Sequence, residues 1–456
     1  MSADHLSKAA TRAAHRRDLA VRAAVEDGLL DDDHAPVVGL LDVTAVREAA
    51  RELHTAFREV AAPDQPVLHT FAVKAASLVP VLRLLESEGL GCEVASPGEL
   101  ALAHAAGIAP ARTVLDSPAK TRSELRAALA DGVALNADNP GELARLDTLV
   151  PSSPTPPRVG LRVNPQVGGG AIGAMSTATA TSKFGFPLRD PGAREALVHA
   201  YAARPWLTRL HAHVGSQGIP LERMAEGVAA VFSLAEEVNA SVGRRQIDTL
   251  DIGGGLPVNF DSDETSPTFG AYARLLADTV PGLFDGSYAL VTEFGRSLLA
   301  KAGAVVARVE YAKSAGGRRI ALAHAGAQVA VRTVFAPDAW PLRVGAYGPK
   351  GRPKGGPAVV QDVAGPCCFA GDLVARERAL PLLEEGDHVA LLDTGAYYFS
   401  TSFAYNSLPR VGVYGFAVER CGSAEERVRF AAVREPQSLA SIVAESGGGC
   451  GGALLF

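Results

Sequence analysis

The chain has 456 residues, 47% of them hydrophobic and 21% charged, with a formal net charge of −6. That length predicts two domains with ample core, and the acidic balance excludes nucleic acid or an anionic membrane as the main partner. No stretch reaches the uninterrupted apolar length needed to cross a bilayer, and five cysteines without framework spacing fit a reducing, cytoplasmic setting better than a disulfide scaffold.

Residues 1–37 are Ala-rich but broken by Asp4, Lys8, Arg12, Arg16, Arg17 and Asp18. They predict a helical arm, not a signal peptide. Residues 38–300 are expected to form one α/β domain. Short apolar runs at 67–74, 91–96, 113–117, 134–138, 159–164, 210–215, 249–253 and 290–293 predict strands. Helical patterns fill the intervals at 78–88, 98–106, 121–129, 140–149, 194–202, 221–238 and 268–280. Eight strands with a helix in every interval predict a (β/α)8 barrel. Residues 301–446 change texture. Runs at 304–311, 319–323, 328–334, 388–392 and 427–432 predict a second, all-β domain, and 447–456 a flexible tail.

Chemistry in such barrels sits where strands end at the C-terminal face. The predicted strand ends carry Lys74, Glu93, Ser96, Asp116, Asn136, Asp138, Arg162, Asn164, His213, Ser216, Glu293 and Arg296. A lysine closing a buried strand is costly unless its amine is used, although Lys74 alone also reads as a surface lysine just past a strand. Asp251-Ile-Gly-Gly-Gly-Leu-Pro257 follows an apolar run, and three glycines let backbone amides approach a phosphate. Glu293-Phe-Gly-Arg296 closes the last run, and the loops after strands seven and eight commonly hold phosphate in these barrels. His211 and His213 stand at strand period and read equally as core histidines or as a ring platform. Glu293 reads either as an arginine partner or as the counter-charge of a pyridine nitrogen. No Cys/His group has zinc spacing, and a metal-dependent hydrolase finds no convincing ligand set.

Lys74 in Phe-Ala-Val-Lys-Ala, Glu93-Val-Ala-Ser-Pro-Gly-Glu99, Ser182-Lys-Phe-Gly185, His211-Ala-His-Val-Gly-Ser216, Asp251 to Gly255, Glu293 to Arg296, Gly365-Pro-Cys-Cys-Phe-Ala-Gly-Asp372 and Gly395-Ala-Tyr397 through Tyr405-Asn406 stand in one order. In this the chain resembles the pyridoxal-phosphate decarboxylases of the alanine-racemase fold, diaminopimelate decarboxylases above all, from about 38 to 416. The resemblance implies that Lys74 holds pyridoxal 5'-phosphate as a Schiff base. It implies that His213 stacks on the ring and that Glu293 pairs with its nitrogen. Ser216, Gly254, Gly255, the backbone of Glu293, Phe294, Gly295 and Arg296, and Tyr397 would hold the phosphate. Cys368 would be donated across a homodimer interface, and Arg296 and Arg332 would bind the amino-acid substrate.

Two positions depart from the family pattern. A glutamate usually follows the active-site cysteine, where it grips the substrate's distal ammonium; here Phe369 stands there. The usual tyrosine four residues past the second arginine is Ala336. Losing a charged acceptor in a closed pocket costs roughly 1.5–3 kcal/mol. The expectation is therefore α-decarboxylation of a diaminopimelate-like amino acid, or of one with a larger, less polar tail. The alternatives are a carboxylate-bearing conjugate of secondary or siderophore metabolism, an amino-acid racemase, and an inactive homologue that binds the cofactor.

Overall fold

The structure, a computed structural model, describes residues 3–31, 34–421 and 425–450. The described residues divide into two compact units: 46–259 with 265–298, and those within 3–45 with 260–264 and those within 299–450.

In the first unit, strands Val67–Ala72, Gly91–Val94, Thr113–Leu115, Ala134–Ala137, Val159–Asn164, Leu207–His211, Thr249–Asp251 and Ala289–Phe294 pair in parallel in that order. Leu290 pairs with Val67 and Phe294 with Phe71, so the eighth strand returns to the first and closes the barrel. A closed parallel barrel leaves no edge, and its strands read as apolar runs because both faces are buried. Capping fixes several helix starts at the C-terminal face. Ser96 accepts from Glu99 N, Asn139 from Glu142 N, and Thr121 forms a capping box with Glu124.

In the second unit a nine-stranded sheet runs mostly antiparallel. Helix Ala3–Glu26 buries Ala20, Val21 and Ala24 against Val38, Val306, Ala390 and Phe416 of this sheet. Arg16 pairs with Asp42 at 2.7 Å, and Tyr347 Oη donates to Asp18 at 2.7 Å. The predicted arm is thus a packed helix.

Several expectations need correction. Segment 38–45, expected in the barrel domain, joins the second unit: strand Val37–Asp42 pairs antiparallel with Gly303–Ala315 and parallel with Gly412–Cys421. The expected strand 328–334 is a helix, Ala327–Phe335, kinked at Ala330. Its β-branched residues favour a strand locally, but the buried Asp372 carboxylate accepts from Ala327 N at 2.6 Å and so caps the helix start. Strands Val344–Tyr347, Ala358–Ala364, Leu373–Pro381 and Gly412–Cys421 and helix Leu439–Glu445 had no predicted counterpart. Of the predicted tail, 451–456 lie outside the described residues.

Candidate active site

Strand ends bring the barrel's predicted residues together. The first strand stops at Ala72, and Lys74 rides on the turn Val73–Ala75 just beyond it. Lys74 Nζ lies 2.7 Å from Glu93 Oε2, with the lysine side chain 45% exposed and the glutamate 2%. Burial raises the Glu93 carboxyl and the lysine charge opposes that rise.

The sixth strand ends at His211, so His213 sits two residues past it. Gly254 N–H donates to His213 Nδ1 at 3.1 Å. Burial, with Arg162 and Lys74 nearby, holds His213 well below the usual histidine range. An Nδ1 that accepts leaves the proton on Nε2, giving a neutral, flat ring.

The glycine turn is dictated by space. A Cβ on Gly254 would lie 2.0 Å from Glu293 O, and one on Gly255 (φ +96°) 1.9 Å from Gly215 O. No other residue lets the backbone come this close. Ser216 lies on the neighbouring turn, where its amide donates to Met175 O at 3.0 Å. Glu293 and Arg296 are each 4% exposed. Glu293 Oε1 is buried without a hydrogen bond among the described residues, and burial followed by Asp251 raises this carboxyl well above its usual range. The Phe294 ring turns away to Phe57, Phe269 and Tyr272, leaving only its backbone at the mouth. Gly295 packs against Ala75, where a Cβ would stand 2.9 Å from the alanine's Cβ.

Beneath these groups lies an ion network that sequence reasoning left unassembled. Arg162 Nη1 meets Asp116 Oδ2 at 3.0 Å, and the buried His211 faces Asp116, Asp251 and Glu293. Burial opposes ionisation of Asp116, yet His211 and Arg162 hold its carboxyl well below the usual range. The donor atoms of Asp116, His211 and Glu293 lie within 4.8 Å of one another. The available signal was period: His211 and His213 alternate on one face, and Asp251 precedes the glycine turn by two residues.

The remaining predicted residues lie in the second unit. Cys368 is exposed, and its amide donates to Asn406 Oδ1 at 2.8 Å. Asp372 of the same Cys-x-x-Gly-Asp segment also accepts from Cys367 N at 2.7 Å, which ties this loop to the helix start at Ala327. The Arg332 guanidinium stacks over Tyr397 at 4.5 Å and Trp340 at 5.2 Å. Tyr397 holds φ +70°, a costly conformation for a bulky residue and one that tends to mark functional loops. Phe369 stacks on Phe335 at 5.5 Å and meets Tyr405 edge-on at 5.2 Å, while Ala336 is exposed beside Phe335.

Residues 44–300 match the family model "Pyridoxal-dependent decarboxylase, pyridoxal binding domain". The diaminopimelate decarboxylase of Methanothermobacter thermautotrophicus is 31% identical over 388 residues, covering 84% of this chain and 86% of that protein. The Pseudomonas aeruginosa enzyme of the same name is 35% identical over 352 residues, covering 76% and 80%. The crystal structure of Helicobacter pylori diaminopimelate decarboxylase complexed with L-lysine superposes with a TM-score of 0.77 at 25% identity, covering 91% of this chain and 98% of that one. The residues present fit pyridoxal phosphate: the buried carboxylate oxygen Glu293 Oε1 has no hydrogen bond among the described residues and can take one from a ring nitrogen. The chain belongs to the pyridoxal-dependent amino-acid decarboxylases, and pyridoxal 5'-phosphate is its cofactor.

Proposed function

We propose that this enzyme removes the α-carboxylate of a diaminopimelate-like amino acid, working as a cytoplasmic homodimer. The observation that supports it is the convergence of Lys74, His213, Glu293 and the glycine turn at one end of a single closed barrel. Lys74 Nζ is the attachment point. The neutral His213 ring offers a flat face, Glu293 an anion for the ring nitrogen, and Gly254, Gly255 and Ser216 a phosphate cradle. Bound pyridoxal phosphate supplies an electron sink for the pair left on Cα when carbon dioxide departs. Lys74 would have to be neutral to bond the cofactor's aldehyde, and Glu93 pairs with the ammonium when it is protonated. Cys368 of the partner subunit, or Lys74, returns a proton to Cα; the exposed thiol of Cys368 supports that role. Arg296, Arg332 and Tyr397 are assigned to anionic groups of substrate and cofactor.

Phe369 favours a second reading of the substrate. It sits in an aromatic group with Phe335, Phe403 and Tyr405 where the family carries an acid. Such a surface suits a larger, less polar tail, including that of a specialised amino-acid conjugate, because an aromatic face contributes contact area and not a charged acceptor.

Borohydride reduction followed by peptide mass spectrometry tests the assignment. The adduct is expected on Lys74 and is lost in Lys74→Ala together with carbon dioxide release. An adduct elsewhere, or change of optical rotation without carbon dioxide, rejects it. A panel of diaminopimelate, ornithine, lysine, arginine and bulkier acids then ranks the tails.

A further inference from the structure

His211 is 0% exposed, lies at the centre of the barrel's charged groups, and takes no part in the chemistry assigned so far. Its Nε2 stands 3.0 Å from Asp116 Oδ2, and its Nδ1 stands 3.3 Å from Asp251 Oδ1 and 3.9 Å from Glu293 Oε1. Ionised carboxylates only accept hydrogen bonds, and a neutral imidazole has one N–H and one lone pair. A neutral ring would leave a lone pair facing carboxylate on one side. An imidazolium presents positive charge to Asp116 on the Nε2 side and to Asp251 and Glu293 on the Nδ1 side, at ion-pair distance.

The surrounding charges agree with the second arrangement. Burial alone would favour the neutral ring, but Asp116, Glu293 and Asp251 together raise His211 well above the usual histidine range. Arg162 is engaged by Asp116 and Asp138, and Lys74 by Glu93. Arg209, two residues upstream on the same strand, is 4% exposed and adds positive charge near Asp251 and Glu293. His213 is neutral, with His211 among the charges that lower it. Glu293 is the group most opposed to ionisation here, with burial, Asp251, Glu93 and Asp116 against it and His211 in its favour.

We propose that His211 is a positioning residue: as an imidazolium wedged between Asp116, Asp251 and Glu293, it keeps Glu293 ionised, so that the cofactor's ring nitrogen meets a carboxylate. Its charge offsets the burial and the neighbouring carboxylates that oppose ionisation of Glu293. The role rests on the assignment of Glu293 to that nitrogen.

The test compares wild type with His211→Gln as full-length, cofactor-stripped protein. Each is titrated with pyridoxal phosphate and with its 1-carba analogue, in which C–H replaces the ring nitrogen. His211→Gln is expected to bind pyridoxal phosphate roughly ten- to a hundredfold more weakly, the worth of a charge-assisted hydrogen bond, with no loss of affinity for the analogue. Equal losses for both ligands would mark a merely structural histidine and overturn the proposal. If wild type captures neither ligand, the cofactor assignment itself fails, a different outcome. Should the variant not fold, nitrogen NMR of histidine-labelled wild-type holoenzyme decides. Both His211 ring nitrogens are expected to stay protonated above the pH at which an ordinary histidine loses its charge, and a neutral ring there overturns the proposal.

Discussion

Lys74 Nζ and Glu93 Oε2 form a 2.7 Å ion pair that spans the edge of solvent: the carboxylate is buried and the amine half-exposed. Glu93 favours the ammonium, whereas capture of an aldehyde needs the free amine. In Glu93→Gln the pH at which cofactor capture is half-maximal should fall, because the ammonium loses its counter-charge. Absorbance titration across pH measures this. An unmoved midpoint would show that the pair does not govern the amine.

Gly255→Ala tests the cradle. The new Cβ would sit 1.9 Å from Gly215 O at φ +96°, so the backbone must shift. We expect a loss of roughly 1–3 kcal/mol in stability and a clear weakening of cofactor affinity, read by thermal unfolding and by fluorescence titration. Unchanged affinity would remove the turn from the phosphate site.

Phe369→Glu tests the substrate. If the aromatic residue excludes a distal ammonium, the acid should raise kcat/KM for diaminopimelate roughly ten- to a hundredfold and lower it for bulkier, less polar acids. Loss on every substrate would mean that the stack with Phe335 at 5.5 Å serves structure alone.

Asp372→Ala would orphan two amides at once, those of Ala327 and Cys367. The expected cost is about 1–3 kcal/mol for each buried group left unpaired. Faster thiol labelling at Cys368 should accompany it as the loop loosens. A wild-type labelling rate would contradict the tie.

His69 predicts an acid limb. It is 2% exposed and bonded to Thr292 Oγ1 at 2.8 Å, and burial pulls it down to about 3. The unfolded chain takes up this proton near pH 6.5 and the native protein only near 3. Stability is therefore lost as pH falls through that window, by up to about 1.4 kcal/mol per pH unit. His69→Gln keeps a partner for Thr292 and should flatten the limb in thermal melts. Equal slopes would reject the assignment.

Period, caps and the steric needs of glycine are local properties of the chain, so the eight barrel strands, the intervening helices and the glycine turn were legible in it. It carried Lys74, His213 and Glu293 on motifs that the barrel then gathered. The rest came from contacts between residues far apart in the chain. Strand Val37–Asp42 finds partners more than 250 residues away at Gly303–Ala315 and Gly412–Cys421, and no local pattern records that pairing. Helix Ala327–Phe335 overrides its own β-branched residues through Asp372, a cap supplied from 45 residues downstream. His211 reads as one more apolar-strand histidine until Asp251 and Glu293, from two other strands, and Asp116, just past a third, close around it. Charge and burial act through space, so a site made of such contacts becomes visible only once the barrel has closed.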